Sequence, residues 1–423
     1  TNAMELFLRM YFWLLLLHPL FAYIIWKTLQ LPANKIYKAI FIVLSFFYFL
    51  TSKRRIKFPK YLWFLVGYAI YVLLWDIHNG FFQVRGPFIY FSSFNYLHMI
   101  LLVLFLENLP SLHSLSNKLM SAIPLVIFIA FIFSVIQVVC EPYFWSNTGN
   151  IMGEHMEGNK YLARRPSIFG WGNPLNIGIG FFPLAAVFIA NQIETNKKYV
   201  PWLFFLLVIA VASNTRYVLA SFLIISIYPL YYSFKRKKII SALSKLKNVS
   251  IAVIIGYFFS AQVLNYDINK YFNERVFHEE SIQKNTRVIA VYTFLEFFPK
   301  NPFFGDGFRV SDEVRQASNA AGSSHIHVGY LQRLVSYGIV GCFFLFTFLF
   351  LFTKRLWKIG KKHHFYGGFI AFSIFIFANA TFTHFSFFFF GIVISLLITF
   401  NYEKEQKIRL RAISNASSEA VTP

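Results

Sequence analysis

The sequence predicts an all-α polytopic membrane protein of about twelve transmembrane helices, and three observations carry that prediction. Hydrophobic residues make up 57% of the 423-residue chain and charged residues only 14%, with a mean hydropathy of +0.53. A soluble fold could not hide that much apolar surface. Apolar runs recur at lengths that cross about 30 Å of hydrocarbon, which takes roughly 20 helical residues. Finally, the basic residues that give a net charge of +22 collect at alternate boundaries of those runs. This is a topology signal and not the footprint of a nucleic-acid partner.

Taken in order, the expected spans lie near 5–26, 37–51, 61–76, 87–106, 118–140, 173–191, 201–214, 217–234, 249–265, 328–353, 365–381 and 384–401. The first run is too long for a signal-peptide core and no small-residue cleavage pattern follows it, so it is expected to remain as a helix. Lys53-Arg54-Arg55, Lys197-Lys198, Lys235 to Lys238, Lys354-Arg355 with Lys361-Lys362, and the tail from Lys404 to Arg411 share one side. That side is the cytoplasm by the positive-inside rule, so both termini are expected there. Cys140 and Cys342 both lie in apolar segments, as core or lipid-facing thiols and not as a disulfide. The whole chain, 1–423, reads as one integral-membrane domain without internal repeats, ending in a cytoplasmic tail at 402–423.

The opposite side carries most of the loop length, in a loop at 141–172 and a much longer one at 266–326. Long loops in a compact protein are usually functional, so the active side faces outward. Within the long loop, Val288 to Phe298 has the composition of a helix lying along the membrane face. Pro299 to Gly307 is rich in turn formers and breaks it.

The last loop ends in Ser323-Ser324-His325-Ile326-His327, and an apolar helix follows. Tyr330, Leu331, Leu334, Val335, Gly338 and Gly341 recur at helical spacing, and Gly338-x-x-Gly341 predicts a flat face for close packing on another helix. His327 is then expected on the first turn, at the boundary of water and hydrocarbon. Imidazole titrates near neutrality, so His327 is either a general base for a hydroxyl substrate or a cap that only anchors the helix. Arg216 follows Ser213-Asn214-Thr215 where one apolar run ends and another starts. An arginine there meets an anion, faces a wet cavity, or snorkels to headgroups. Arg287, after Asn285-Thr286, is open to the same readings and to that of a solvated loop residue. Gathered on one face, two guanidiniums and an imidazole suit a diphosphate substrate, because guanidinium pairs with phosphate oxygens and keeps its charge. His18, His98 and His384 lie within apolar spans and read as packed helix residues.

Four stretches together resemble the O-antigen ligase and O-antigen polymerase family of membrane glycosyltransferases. They are Arg165-Pro-Ser-Ile-Phe-Gly-Trp-Gly-Asn-Pro174, Asn214-Thr215-Arg216, Asn285-Thr286-Arg287 with Asn301-Pro-Phe-Phe-Gly-Asp-Gly307, and His327 with Gly338-x-x-Gly341. The resemblance spans about 160–400 and rests on the order and spacing of the motifs. It implies transfer of a glycan from an undecaprenyl-diphosphate-linked oligosaccharide to an acceptor hydroxyl at the periplasmic face of a bacterial inner membrane, without metal or cofactor. By the same resemblance Arg216 and Arg287 hold the diphosphate and His327 serves the acceptor. His325, Arg164, Arg165 and Tyr217 take the second rank, around the acceptor, although Arg164 and Arg165 are equally readable as a solvated pair. The tract His327 to Gly341 resembles the polymerase branch, which extends lipid-linked repeats and works beside a chain-length regulator. The ligase branch instead joins polymer to lipid A–core. A transporter would show repeated halves and polar residues through the middle of several helices, neither of which the sequence displays.

Overall fold

The computed structural model describes residues 2–29, 33–52, 55–80, 92–109, 112–140, 144–145, 165, 167–169, 177–235, 239–265, 267, 269–270, 273, 286–307, 326, 328–380 and 390–419. Fourteen α-helices run through them: α1 Asn2–Leu16, α2 His18–Leu29, α3 Ala33–Thr51, α4 Leu62–His78, α5 Ser92–Asn108, α6 His113–Val139, α7 Phe182–Glu194, α8 Val200–Ala212, α9 Arg216–Lys235, α10 Ile239–Phe258, α11 Thr286–Phe297, α12 Gly329–His363, α13 Gly367–Asn379 and α14 Phe390–Glu419. No strand occurs among the described residues. Most of the long loops expected on the outer side, and His384, lie outside them.

By length and apolarity, five of these helical stretches can cross a membrane, or six if the bent pair α1–α2 is one span. The apolar runs suggested about twelve. The difference lies in helix length, since segments such as Leu62–His78, Val200–Ala212 and Gly367–Asn379 have only 10–17 residues. At 1.5 Å per residue these reach no more than about 26 Å. The first expected span, 5–26, is not one straight helix. It turns by 85° between Leu16 and His18, placing the His18 ring against Tyr37 and Phe390.

At the centre stands α7, preceded by a π-helical turn at Ile177–Phe181. Every residue from Ile177 to Ala190 is buried, as expected of a helix that is apolar all round. It packs against α13, α14, α9 and α6. The approach of α14 is close enough that a Cβ on Gly391 would overlap the carbonyl oxygen of Gly180. Only glycine allows that contact.

One end of the bundle is tied by ions. Arg355 of α12 donates Nη1 and Nη2 to Glu403 of α14 at 3.1 and 2.6 Å, and Nε to Glu107 of α5 at 3.1 Å. Tyr61 donates to the same Glu107 at 2.7 Å. Lys404 donates to the carbonyls of Leu106 and Leu109, so a cation closes the carbonyl-rich end of α5. Burial pushes the Lys404 amine down to about 8 despite the opposing pull of Glu107 and Glu403. For Glu403 burial works against ionisation, but hydrogen bonds and charge from Arg355 and Lys407 outweigh it and hold the carboxyl below its ordinary value.

Candidate functional site

The Asn214-Thr215-Arg216 motif forms the joint between α8 and α9. Asn214 takes a left-handed conformation with φ of 52°, which asparagine tolerates better than most side chains. The Thr215 carbonyl then accepts the amides of Val218 and Leu219 at 3.0 and 3.2 Å, so Thr215 caps α9 and Arg216 fills its first position. A guanidinium at the positive end of a helix adds charge where charge is already positive, an arrangement that an anion relieves. Tyr217 is buried with its ring against Gly178 of the π turn.

The course of α9 shows which end of the bundle Arg216 occupies. Tyr228 and Tyr231 lie 6.4 and 5.8 Å from the Tyr366 ring just before α13. Arg216 is fifteen residues before Tyr231, about 22 Å along the helix, and α9 packs along α13. It therefore lies toward the opposite end of α13, the end that carries Ile376.

That end also receives the start of α12. As one straight rod its 35 residues would measure about 52 Å, but Gly338 interrupts it with φ 59° and ψ −170°. The Tyr330 and Phe346 rings are 5.8 Å apart, whereas sixteen residues of straight helix would separate them by about 24 Å. Residues 329–337 therefore fold back beside 339–363, and the Tyr330 hydroxyl donates to the Ile376 carbonyl at 2.7 Å. Gly338 is thus the tip of a helical hairpin and not part of the expected flat packing face. A Cβ there would overlap the Phe303 carbonyl.

Such a reversal strands backbone groups on both arms, and the Asn301–Gly307 motif satisfies them. The amides of Ile339 and Val340 donate to the carbonyls of Pro302 and Phe303 at 2.8 and 3.1 Å. In return the amides of Asp306 and Gly307 donate to Val335 and Ser336 at 3.0 and 2.7 Å. Helix α4 clasps the loop from the other side, with Tyr71 donating to Phe304 O at 2.8 Å and Trp75 Nε1 to Gly305 O at 3.2 Å. Two motifs some thirty residues apart are in this way one structural unit.

Arg287 lies in the first turn of α11. That helix packs on the returning arm through a small separate core of Ala290, Phe297, Ile326 and Val335, with Phe294, Val328 and Leu331 around it. Ile326 and Val328 flank position 327. The chain on either side of the candidate base is thus fixed to the helix whose first turn carries Arg287. His327, His325 and Arg164 themselves lie outside the described residues. Arg165 is no solvated loop residue. It is 2% exposed, with Nε donating to the Gln137 carbonyl at 3.1 Å. Gln137 also accepts the Ser167 amide at 2.7 Å, and Ser167 Oγ donates to Ala130 O. Cys140 and Cys342 are both free thiols.

Sequence reasoning passed over two ionisable residues inside apolar spans, Asp76 and Arg333. Asp76 is fully buried and accepts from the Tyr337 hydroxyl at 3.4 Å. The Arg333 guanidinium stands 5.9 Å from the ring centres of Tyr96 and Tyr337. Their depth was the available signal, since charge within the membrane is costly and rarely idle.

No curated protein matches the chain. A family model described as O-antigen ligase matches residues 201–346, a stretch that begins before Arg216, takes in Arg287 and the Asn301–Gly307 loop, and ends just past Gly341. Over that stretch, about a third of the chain, the sequence is similar to the O-antigen ligase family.

Proposed function

We propose that this protein is a membrane glycosyltransferase of the O-antigen polymerase type, extending a glycan carried on undecaprenyl diphosphate at the periplasmic face. The observation that carries the reading is the packing of α11, which carries Arg287 in its first turn, in one apolar core with Ile326 and Val328 on either side of position 327. The placing of Arg216 toward the same end of the bundle supports it.

In this reading Arg216 and Arg287 grip the diphosphate by paired hydrogen bonds, and Arg216 does so with the N-terminal amides of α9 beside it. The acceptor hydroxyl loses its proton to His327 as its oxygen attacks the anomeric carbon. The bond from that carbon to the diphosphate breaks, and the negative charge released stays between the two guanidiniums. One displacement of this kind inverts the anomeric centre.

The test is reconstitution with a defined lipid-diphosphate donor. Donor alone should yield a ladder of longer lipid-linked products, whereas a ligase would need lipid A–core before any product formed. His327→Ala should lower turnover by about 10²–10⁴-fold, and wild-type turnover in that variant would remove the assignment of the base. Arg216→Lys keeps the charge but loses the fork, so it should not restore activity lost in Arg216→Ala.

A further inference from the structure

The returning arm, 329–337, is held at its inner side by a buried cluster that the reaction as written does not use. Arg333 extends from the arm with its Nε shut off from solvent, its guanidinium lying over Tyr96 of α5 and Tyr337 of the arm itself. Tyr96 and Tyr68 of α4 are both fully enclosed, with their hydroxyls 3.4 Å apart and rings at 73°. Tyr337 stands edge-on to Tyr68 at 6.0 Å and donates to Asp76. Helices α4 and α5 and the returning arm thus gather around one cation.

Without such a tether the arm would be held by the Asn301–Gly307 loop at its tip, by Tyr330, and by the small apolar core it shares with α11. The arm is nine residues long and leads directly back to Val328 and position 327. A rotation about its axis would carry the candidate base away from α11. Enclosing a guanidinium, even in part, is costly unless its surroundings compensate it, and the Tyr96 and Tyr337 rings, with a carboxylate one tyrosine away, form such surroundings.

We propose that Arg333 is a positioning residue which, through Tyr96, Tyr337 and Asp76, fixes the orientation of the 329–337 arm and so sets the reach of His327 toward its substrate. The inference rests on the reaction proposed above, but it also makes a geometric claim that can be read without activity. A misplacement of about 1 Å at a reacting group lowers turnover by about 100-fold without weakening substrate binding to match.

The experiment compares the full-length protein with its Arg333→Met, Arg333→Lys and Tyr337→Phe variants in detergent, each selected for a monodisperse elution profile. Kinetics with a defined lipid-diphosphate donor are measured beside cross-linking by a short bismaleimide of Tyr330→Cys to Phe346→Cys, with Cys140 and Cys342 replaced by serine. Arg333→Met should lower kcat by about 10–100-fold with KM for the donor within about twofold, and should cut the 330–346 cross-link several-fold. Tyr337→Phe, which loses a single hydroxyl, should shift both readouts in the same direction by less, and it carries the test with Arg333→Lys if Arg333→Met does not fold. Wild-type kcat, or an undiminished cross-link in the folded variants, overturns the proposal. If His327→Ala remains fully active, the reaction assignment fails, and cross-linking alone then decides whether Arg333 holds the arm.

Discussion

Gly338 carries more of the architecture than any other single residue. Its φ of 59° and the contact with the Phe303 carbonyl leave no room for a side chain. Gly338→Ala would add backbone strain of about 1–3 kcal/mol before the steric overlap is counted. The expected outcome is a lower melting temperature in detergent and little correctly folded protein, whereas an alanine in a simple kink would be tolerated. Before Arg216, the left-handed Asn214 breaks the chain between α8 and α9. Asn214→Gly should therefore be nearly silent in a melt, and Asn214→Val should be costly because a β-branched residue avoids that conformation.

At the scale of elements, helix breaks were legible in sequence but their consequences were not. Asn214-Thr215-Arg216 and Pro299 to Gly307 both mark junctions, as the turn chemistry suggested, and α11 occupies the run read as an interfacial helix. Of the glycine pair, Gly341 does lie close against Tyr71 of α4 as a packing glycine, but Gly338 is a reversal, and the same spacing fits either role. What decides is the supply of partners for stranded amides and carbonyls, and those come from Pro302 to Gly307, far from Gly338 in sequence. In a lipid environment each unmatched backbone group costs several kcal/mol, so the loop and the reversal have to form together. Asn301→Ala, which removes the 2.7 Å bond from its side chain to Gly305 O, should lower the melting temperature by loosening the loop. It should also raise hydrogen exchange at the amides of Ile339 and Val340.

For the molecule as a whole, composition settled the class, but the ionic tie at the far end of the bundle was hidden because Glu107, Arg355 and Glu403 come from three distant segments. Removing one partner of a largely buried pair costs about 3 kcal/mol, so Arg355→Met should melt well below the parent at neutral pH. The Glu403 carboxyl is held below its ordinary value, and its contribution is therefore complete above the unfolded carboxylate range. It is lost as pH falls through the lower folded value, and the gap between parent and Glu403→Gln should close across that acid range. Lys404, also lowered in the fold, gives the same slope in a more alkaline window. With its amine near 8 in the fold and 10.5 as the ordinary value, the unfolded chain binds more protons between those limits, and stability should rise with pH across that window. Lys404→Met should flatten the rise.

The clasp of α4 on the 301–307 turn also bears on how the family-matched region can be borrowed. The matched region, 201–346, depends for the support of its own reversal on Tyr71 and Trp75, which lie more than a hundred positions upstream of it. A chimera that grafts this region onto a relative's N-terminal third should assemble only if the donor's hydroxyl and indole come along with it.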